Sequence, residues 1–234
     1  MKITGVILPL FLILFTFYNN AGLCKEDELF LKAQKYFFQK KFEMAELLLQ
    51  EVIKKNPENS LAYSYLGDIL LKKQLYDGAL NLYRKSLDLD VGNAENYFRI
   101  GQIYYFKKMG PDSIDNYNKA LTLDSKLKIV YYHVGLSYLM LMRDKEKTIE
   151  NWEIFLKEVP EDPQYESIKR VIALLRDPNF KIPPADSEIS IEEALLLGGA
   201  TLNTREREAE SKKADHESKK SKKTMEDIYI DDDL

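Results

Sequence analysis

The chain has 234 residues, 45% of them hydrophobic and 31% charged, a balance that suits one folded domain with appendages. Its formal net charge of -4 is too mild, and of the wrong sign, for a face that binds DNA or RNA. With one cysteine there is no internal disulfide and no cysteine-based zinc site, and His133 and His216 stand too far apart for a local metal cluster, so no metal or other cofactor is expected.

The N-terminal stretch, residues 1–24, reads as a signal peptide or membrane anchor. Lys2 precedes the apolar run Ile3 to Tyr18, and the softer "NNAGLC" follows, which is the charged, apolar, small-or-polar order of an export signal. The rest of the protein is therefore expected outside the cytoplasm, in the periplasm or cell envelope. The run falls short of the roughly 20 apolar residues a spanning helix needs, and Pro9 interrupts it. Retention as an anchor is the alternative to cleavage. Cys24 closes the segment, and Ala21-Gly22-Leu23-Cys24 resembles a bacterial lipoprotein box, although Leu23 replaces the usual small residue. That resemblance implies lipidation of Cys24 and a membrane tether, against ordinary cleavage nearby.

Beyond the signal an internal repeat governs the sequence. Gly67, Gly101 and Gly135 occupy positions separated by 34, and Ala33 takes the same slot one period earlier. The period divides the chain into units at 26–59, 60–93, 94–127 and 128–162. In the second, Tyr63, Leu66, Gly67 and Leu70 are followed by Ala79, Tyr83 and Ser86. The third carries Tyr97, Ile100, Gly101 and Tyr104, then Ser113, Tyr117 and Ala120. The fourth carries Tyr131, Val134, Gly135 and Tyr138, then, after a one-residue insertion, Thr148, Trp152, Phe155 and Pro160. The first is weaker at its start (Leu29, Lys32, Ala33, Tyr36) and clear later at Ala45, Leu49, Val52 and Pro57.

These copies resemble the tetratricopeptide repeat, with its W-x2-L-G-x2-Y, A-x3-F and P signature. The resemblance implies an all-α fold, a right-handed α-solenoid of four antiparallel helix pairs. A glycine in mid-helix costs about 1 kcal/mol against alanine, so three at one phase point to a packing benefit, a close approach of the paired helix. Ala45, Ala79, Ser113 and Thr148 are the expected small partners, with Tyr83, Tyr117 and Trp152 wedged between adjacent repeats. Residues 163–176, with Tyr165, Ile168, Val171, Ile172 and Leu175 at helical spacing, are expected to form a capping helix.

Within "NYFRIGQIYYF", Tyr97, Ile100, Gly101 and Tyr104 hold signature slots and are assigned to the core. One residue on, a helix turns by about 100°, and in the tetratricopeptide family that neighbouring face lines the groove where partners bind. Transferred to each copy, it comprises Phe30, Gln34 and Phe37; Ser64, Asp68 and Leu71; Phe98, Gln102 and Tyr105; and Tyr132, Leu136 and Leu139. Such a groove is apolar and aromatic with a few neutral polar groups, and suits a peptide or the apolar side of an amphipathic helix. The lysine, asparagine and arginine clamp with which some members hold chaperone C-termini is not matched. Arg99 and His133 stand at the groove's margin.

From Asp177 the character changes. "DPNFKIPPADSE" carries three prolines, and residues 177–234 hold 15 acidic against 9 basic side chains, so a largely disordered acidic, mixed-charge arm is expected. Within it, 190–197 has the marks of a short helix: Ser190 as cap, early acidic residues and closing glycines, with Ile191, Ala194, Leu195 and Leu197 able to dock on the groove or on a partner. "MEDIYIDDDL" sets apolar residues among acids as a second linear motif.

No Gly-rich phosphate loop, glycine-framed serine or HExxH motif occurs, and the carboxylates fall on exposed helical faces, so neither an enzyme nor a small-molecule substrate is expected. The sequence points to an adaptor or scaffold of the bacterial cell envelope that holds another protein. The alternatives are a structural subunit of a periplasmic or flagellar assembly and an assembly factor for outer-membrane proteins.

Overall fold

The computed structural model describes residues 28–199, and every regular element among them is a helix. The signal-like segment, Cys24 and residues 200–234 lie outside the described residues. The chain divides into two compact units, with the boundary after Ser137.

The first unit contains α1 (28–38), α2 (Phe42–Lys55), α3 (Ser60–Lys72), α4 (Tyr76–Leu89), α5 (Ala94–Phe106), α6 (Gly110–Leu123) and α7 (Ile129–Ser137). Helices α3 and α4 pack as one pair and α5 and α6 as the next. Each second helix also touches the following first helix, and α3, α5 and α7 are neighbours in turn. The order is that of stacked helix pairs.

The local reasons recur at the same period. Asn59 and Asn93 cap α3 and α5, their side-chain oxygens accepting from the amides of Ala62 (2.9 Å) and Asn96 (3.0 Å). At the turn inside each pair stands a non-glycine residue with positive φ: Lys40 at 59°, Gln74 at 60° and Lys108 at 62°. Around each, two bonds close the helix end. For the first pair, the Lys41 amide donates to the Tyr36 carbonyl (2.9 Å) and the Lys40 amide to the Phe37 carbonyl (2.9 Å). This left-handed closure satisfies carbonyls a helix end would otherwise leave open, and those bonds offset the local strain.

The glycines make room for a ring. A β-carbon on Gly67 would stand 2.8 Å from the Tyr83 ring, and one on Gly101 would stand 2.5 Å from that of Tyr117. The rings lie across the glycine of their own pair, rather than wedging only between neighbouring repeats as the sequence suggested. Both tyrosines are fully buried, as are Ala33, Ala45 and Ala79, and Gly67, Gly101 and Gly135 are buried too. Ile100 is core, but Tyr97 and Tyr104 are only half-buried, and the Tyr104 hydroxyl accepts from Arg84 (3.0 Å). Buried Ser86 links three helices: it donates to the Ser60 carbonyl (2.8 Å), lies 2.9 Å from the Ser64 hydroxyl and accepts from the Asn96 amide (2.8 Å).

The second unit opens with a π-helical turn, Tyr138–Met142, followed by α8 (Lys145–Glu158), α9 (Tyr165–Arg176) and α10 (191–199). The turn absorbs the one-residue insertion. The positive-φ residue of this pair is Arg143 (φ 55°), 35 positions after Lys108 instead of 34, and the wide π ring takes up the extra residue without ending the helix. Thr148, Trp152, Phe155, Ile168, Ile172 and Leu175 are buried.

Residues 177–190 pack along the second unit where a largely disordered arm was expected, and the short helix expected at 190–197 falls at α10. The Arg143 guanidinium donates to the Pro183 carbonyl (3.0 Å), and the Lys145 ammonium bonds the Phe180 carbonyl and lies over its ring. Ser190 caps α10 by accepting from the Glu193 amide (3.1 Å), Ile191 is buried, and a β-carbon on Gly198 would stand 2.9 Å from Leu174. Three prolines stop a helix; they do not stop a chain from packing along one.

Candidate partner-binding surface

The face shared by α1, α3 and α5 carries a cavity of about 440 Å³ in the first unit. Its walls are Phe37, Phe38 and Phe42 from the first pair and Leu71 from α3. Its charged groups are Lys40, Lys72, Arg99 and Asp68. Each wall has a local cause. Phe37 and Phe38 end α1, Phe42 opens α2, and the left-handed turn at Lys40 folds these positions together. The Phe37 ring meets Phe38, Phe42 and Tyr65 edge-on at centroid distances of 5.6, 5.7 and 4.9 Å, so the aromatic wall is braced from behind. Phe38 itself is 70% exposed.

The charges are not equivalent. Asp68 accepts from the Tyr83 hydroxyl (2.7 Å) and pairs with the Arg99 guanidinium (3.2 Å). Burial raises its carboxyl above the usual range, while those two partners pull it back. Burial, with the neighbouring Asp68, also raises the Tyr83 phenol, which therefore remains a donor. Arg99 also donates to Gln102 (3.1 Å) and covers the Phe98 ring. Lys72 lies over the Phe42 ring at 4.9 Å, and neither it nor Lys40 has a carboxylate partner among the described residues. The cavity thus joins an aromatic wall to a surplus of positive charge.

The transferred face divides on inspection. Phe37, Asp68 and Leu71 line this cavity. Gln34 donates to the Tyr65 hydroxyl (3.2 Å), and Phe30 packs edge-on against the same ring, so both join neighbouring first helices. Ser64 belongs to the Ser86 network and borders a smaller recess with Asp68 and Arg99. Phe98 is a correction: it is 9% exposed, held between the Tyr117 and His133 rings, and forms core instead of groove. Leu139 is another, 1% exposed within the π turn of the second unit. Gln102, Tyr105, Tyr132 and Leu136 are half-buried and do not border the cavity. His133, packed on Phe98, Tyr117 and Tyr132, has its pKa lowered to about 4 by burial first and by Arg99 second.

Sequence reasoning missed Phe38, Lys40, Phe42 and Lys72. Phe38 and Lys72 are the last residues of α1 and α3, one position past Phe37 and Leu71, Phe42 opens α2, and Lys40 stands in the turn between α1 and α2. Residue types did not mark the turn, which recurs in the structure at Lys40, Gln74 and Lys108, none of them a glycine. The expected neutral lining is corrected as well, since three cations border the cavity.

No protein-family model and no curated protein sequence matches the chain. Solved structures do. A crystal structure of MamA is similar over 76% of this chain and 96% of its own at 22% identity, with a TM-score of 0.56. MamA from Desulfovibrio magneticus RS-1 matches over 59% of this chain and 77% of its own at 19% identity, with a TM-score of 0.54. A mutant O-GlcNAc transferase from Thermobaculum terrenum matches over 58% of this chain and 26% of its own at 18% identity, with a TM-score of 0.55. The decisive observation is that helix pairs, buried glycines and left-handed turns recur at one 34-residue phase in a fold shared with these structures. This chain has the tetratricopeptide-repeat fold. In tetratricopeptide terms α1, α3, α5 and α7 are the first helices of their repeats, and the cavity lies on the face that three of them share.

Proposed function

We propose that the protein is an interaction adaptor whose first unit holds a partner protein by a short peptide or one side of a helix. The observation that carries this reading is the cavity walled by Phe37, Phe38, Phe42 and Leu71 with Lys40, Lys72 and Arg99 around it. Aromatic anchors on a braced scaffold bind at low ordering cost, because Phe37 is already fixed by its ring neighbours before the partner arrives. The partner segment that fits presents an apolar side chain to the phenylalanines and a carboxylate to the lysines. The setting we propose is the bacterial cell envelope, supported by the export-like order of residues 1–24, with Cys24 or the apolar run as tether.

A photo-crosslinking residue in place of Phe38 tests this in the native cell. One discrete partner adduct is expected there and none from the exposed Lys119 on α6. Equal adducts from both positions would overturn the reading. A structural subunit of an envelope assembly is the second reading, favoured by the exposed Leu31 (62%) and Leu47 (68%) on the first helix pair. It requires concentration-dependent self-association, lost on changing both leucines to serine.

A further inference from the structure

We propose that one edge of the first unit docks on a membrane surface that carries anionic lipids. The edge is the row of turns inside the helix pairs, at residues 38–42, 72–76 and 106–110.

The make-up of these turns gives the first argument. They read Phe-Gln-Lys-Lys-Phe, Lys-Lys-Gln-Leu-Tyr and Phe-Lys-Lys-Met-Gly at the 34-residue phase, each with adjacent lysines and large apolar side chains. Stacked pairs bring turns of one phase to one edge. Phe38, Leu75, Phe106 and Met109 are exposed there, and so is every one of these lysines. The Tyr76 ring stacks on Phe106 with centroids 5.5 Å apart, which joins the apolar surface of the second turn to that of the third. The turns between pairs, at 56–59, 90–93 and 124–128, stand at the other ends of the helices and contain no aromatic residue. They close instead on Asn56, Asp90 and Asp124, whose side chains accept from the amides two positions on.

Charge gives the second. Lys73 pairs with Glu46 and Lys107 with Asp77, but Lys40, Lys41, Lys72 and Lys108 have no carboxylate partner among the described residues. Glu43 and Asp112, in the first turns of α2 and α6, add two acidic groups, and the lysines remain in excess. Lys41, Lys72 and Lys108 lie over the rings of Tyr36, Phe42 and Tyr105 at 5.8, 4.9 and 5.9 Å. Rings beside flexible ammonium stems suit the boundary of a bilayer, where the ring enters the headgroup layer and the ammonium meets phosphate. Projecting turn tips suit a layer they can enter, whereas the anchors of a protein interface need pockets that enclose them. Phe38, Lys40, Phe42 and Lys72 also border the cavity. The test therefore rests on side chains that do not, and its outcome leaves the adaptor reading untouched.

The test uses the full chain carrying Phe106→Trp, with vesicles of phosphatidylcholine and roughly one-third phosphatidylglycerol whose acyl chains are brominated to quench indole emission on contact. Trp152 is buried in the second unit, so the parent supplies the background. Val91→Trp, in the exposed turn between the second and third pairs, is the control. Phe106→Trp emission is expected to fall at least twofold while Val91→Trp stays at the parent's level. Adding Lys41→Gln and Lys108→Asn should weaken the quenching at position 106 at least threefold. Neither lysine borders the cavity, and asparagine tolerates the left-handed turn at 108; unchanged helical circular dichroism keeps the comparison valid. Equal quenching of the two indoles, which attachment through residues 1–24 alone would produce, overturns the docking, as does quenching indifferent to the lysine changes. An indole at 106 left unquenched overturns it too, and a protein adduct from a photo-crosslinking residue at that position would then assign the edge to a protein.

Discussion

The Tyr117 ring occupies the space that a β-carbon on Gly101 would need, with its nearest carbon 2.5 Å from that position. A real β-carbon never approaches so closely, and the ring cannot withdraw because Phe98 and His133 pack on it. Gly101→Ala is therefore expected to destabilise the first unit by about 1–3 kcal/mol through overpacking, despite a gain in helix propensity of about 1 kcal/mol. Gly199→Ala, with nothing within 4 Å, is the control and should stay within about 0.5 kcal/mol of the parent. Urea denaturation followed by circular dichroism decides.

Ser86→Ala should cost about 1–3 kcal/mol, because the buried Asn96 amide then loses its acceptor. Adding Asn96→Leu removes the stranded group as well. The double variant should lose less than the two single changes together, and a double-mutant cycle by denaturation measures the difference.

Tyr83→Phe removes the hydroxyl that donates to Asp68 at 2.7 Å. That bond favours the ionised carboxylate, so its loss should raise the Asp68 pKa further. Stability should fall by about 1–2 kcal/mol near neutral pH. A carbon-detected NMR titration of Asp68 reads the first effect and a thermal melt the second.

His133 sets an acid limit. Its folded pKa is lowered to about 4, against about 6.5 in an unfolded chain. Between those values the unfolded state binds more protons, so the contribution of His133 is complete above about pH 6.5 and is lost as pH falls towards 4. Asp68, raised by burial, works in the opposite sense: its protonated form relieves a penalty that returns as pH rises. The His133→Phe variant isolates the histidine. Its stability relative to the parent should rise as pH is lowered through that window, and denaturation at half-unit pH steps would show it.

How far the sequence could be read follows from which residues obey helical phase. Gly67, Gly101, Tyr83 and Tyr117 are placed by the repeat, and the structure buries each of them. Phe98 was misjudged because a rotation of about 100° from the signature slot carries it towards the next first helix, where His133 covers it. The insertion in the fourth repeat was visible, but its conversion into a π turn is a property of backbone bonding that residue types do not announce. The cavity was half legible for a related reason. Leu71, Phe37 and Phe38 keep helical phase, whereas Lys40 and Phe42 are brought alongside them by a left-handed turn at a lysine, which composition alone does not mark.

The central claim is that a partner protein seats between the phenylalanines of the first repeat and Leu71 and Lys72 of the second. The direct measurement is quantitative recovery of crosslinked partners from the native cell, comparing the parent with the variant Leu71→Ser, Lys72→Glu at equal abundance and equal helical circular dichroism. The account predicts that the dominant partner falls at least tenfold. Undiminished recovery from the correctly folded variant would contradict it.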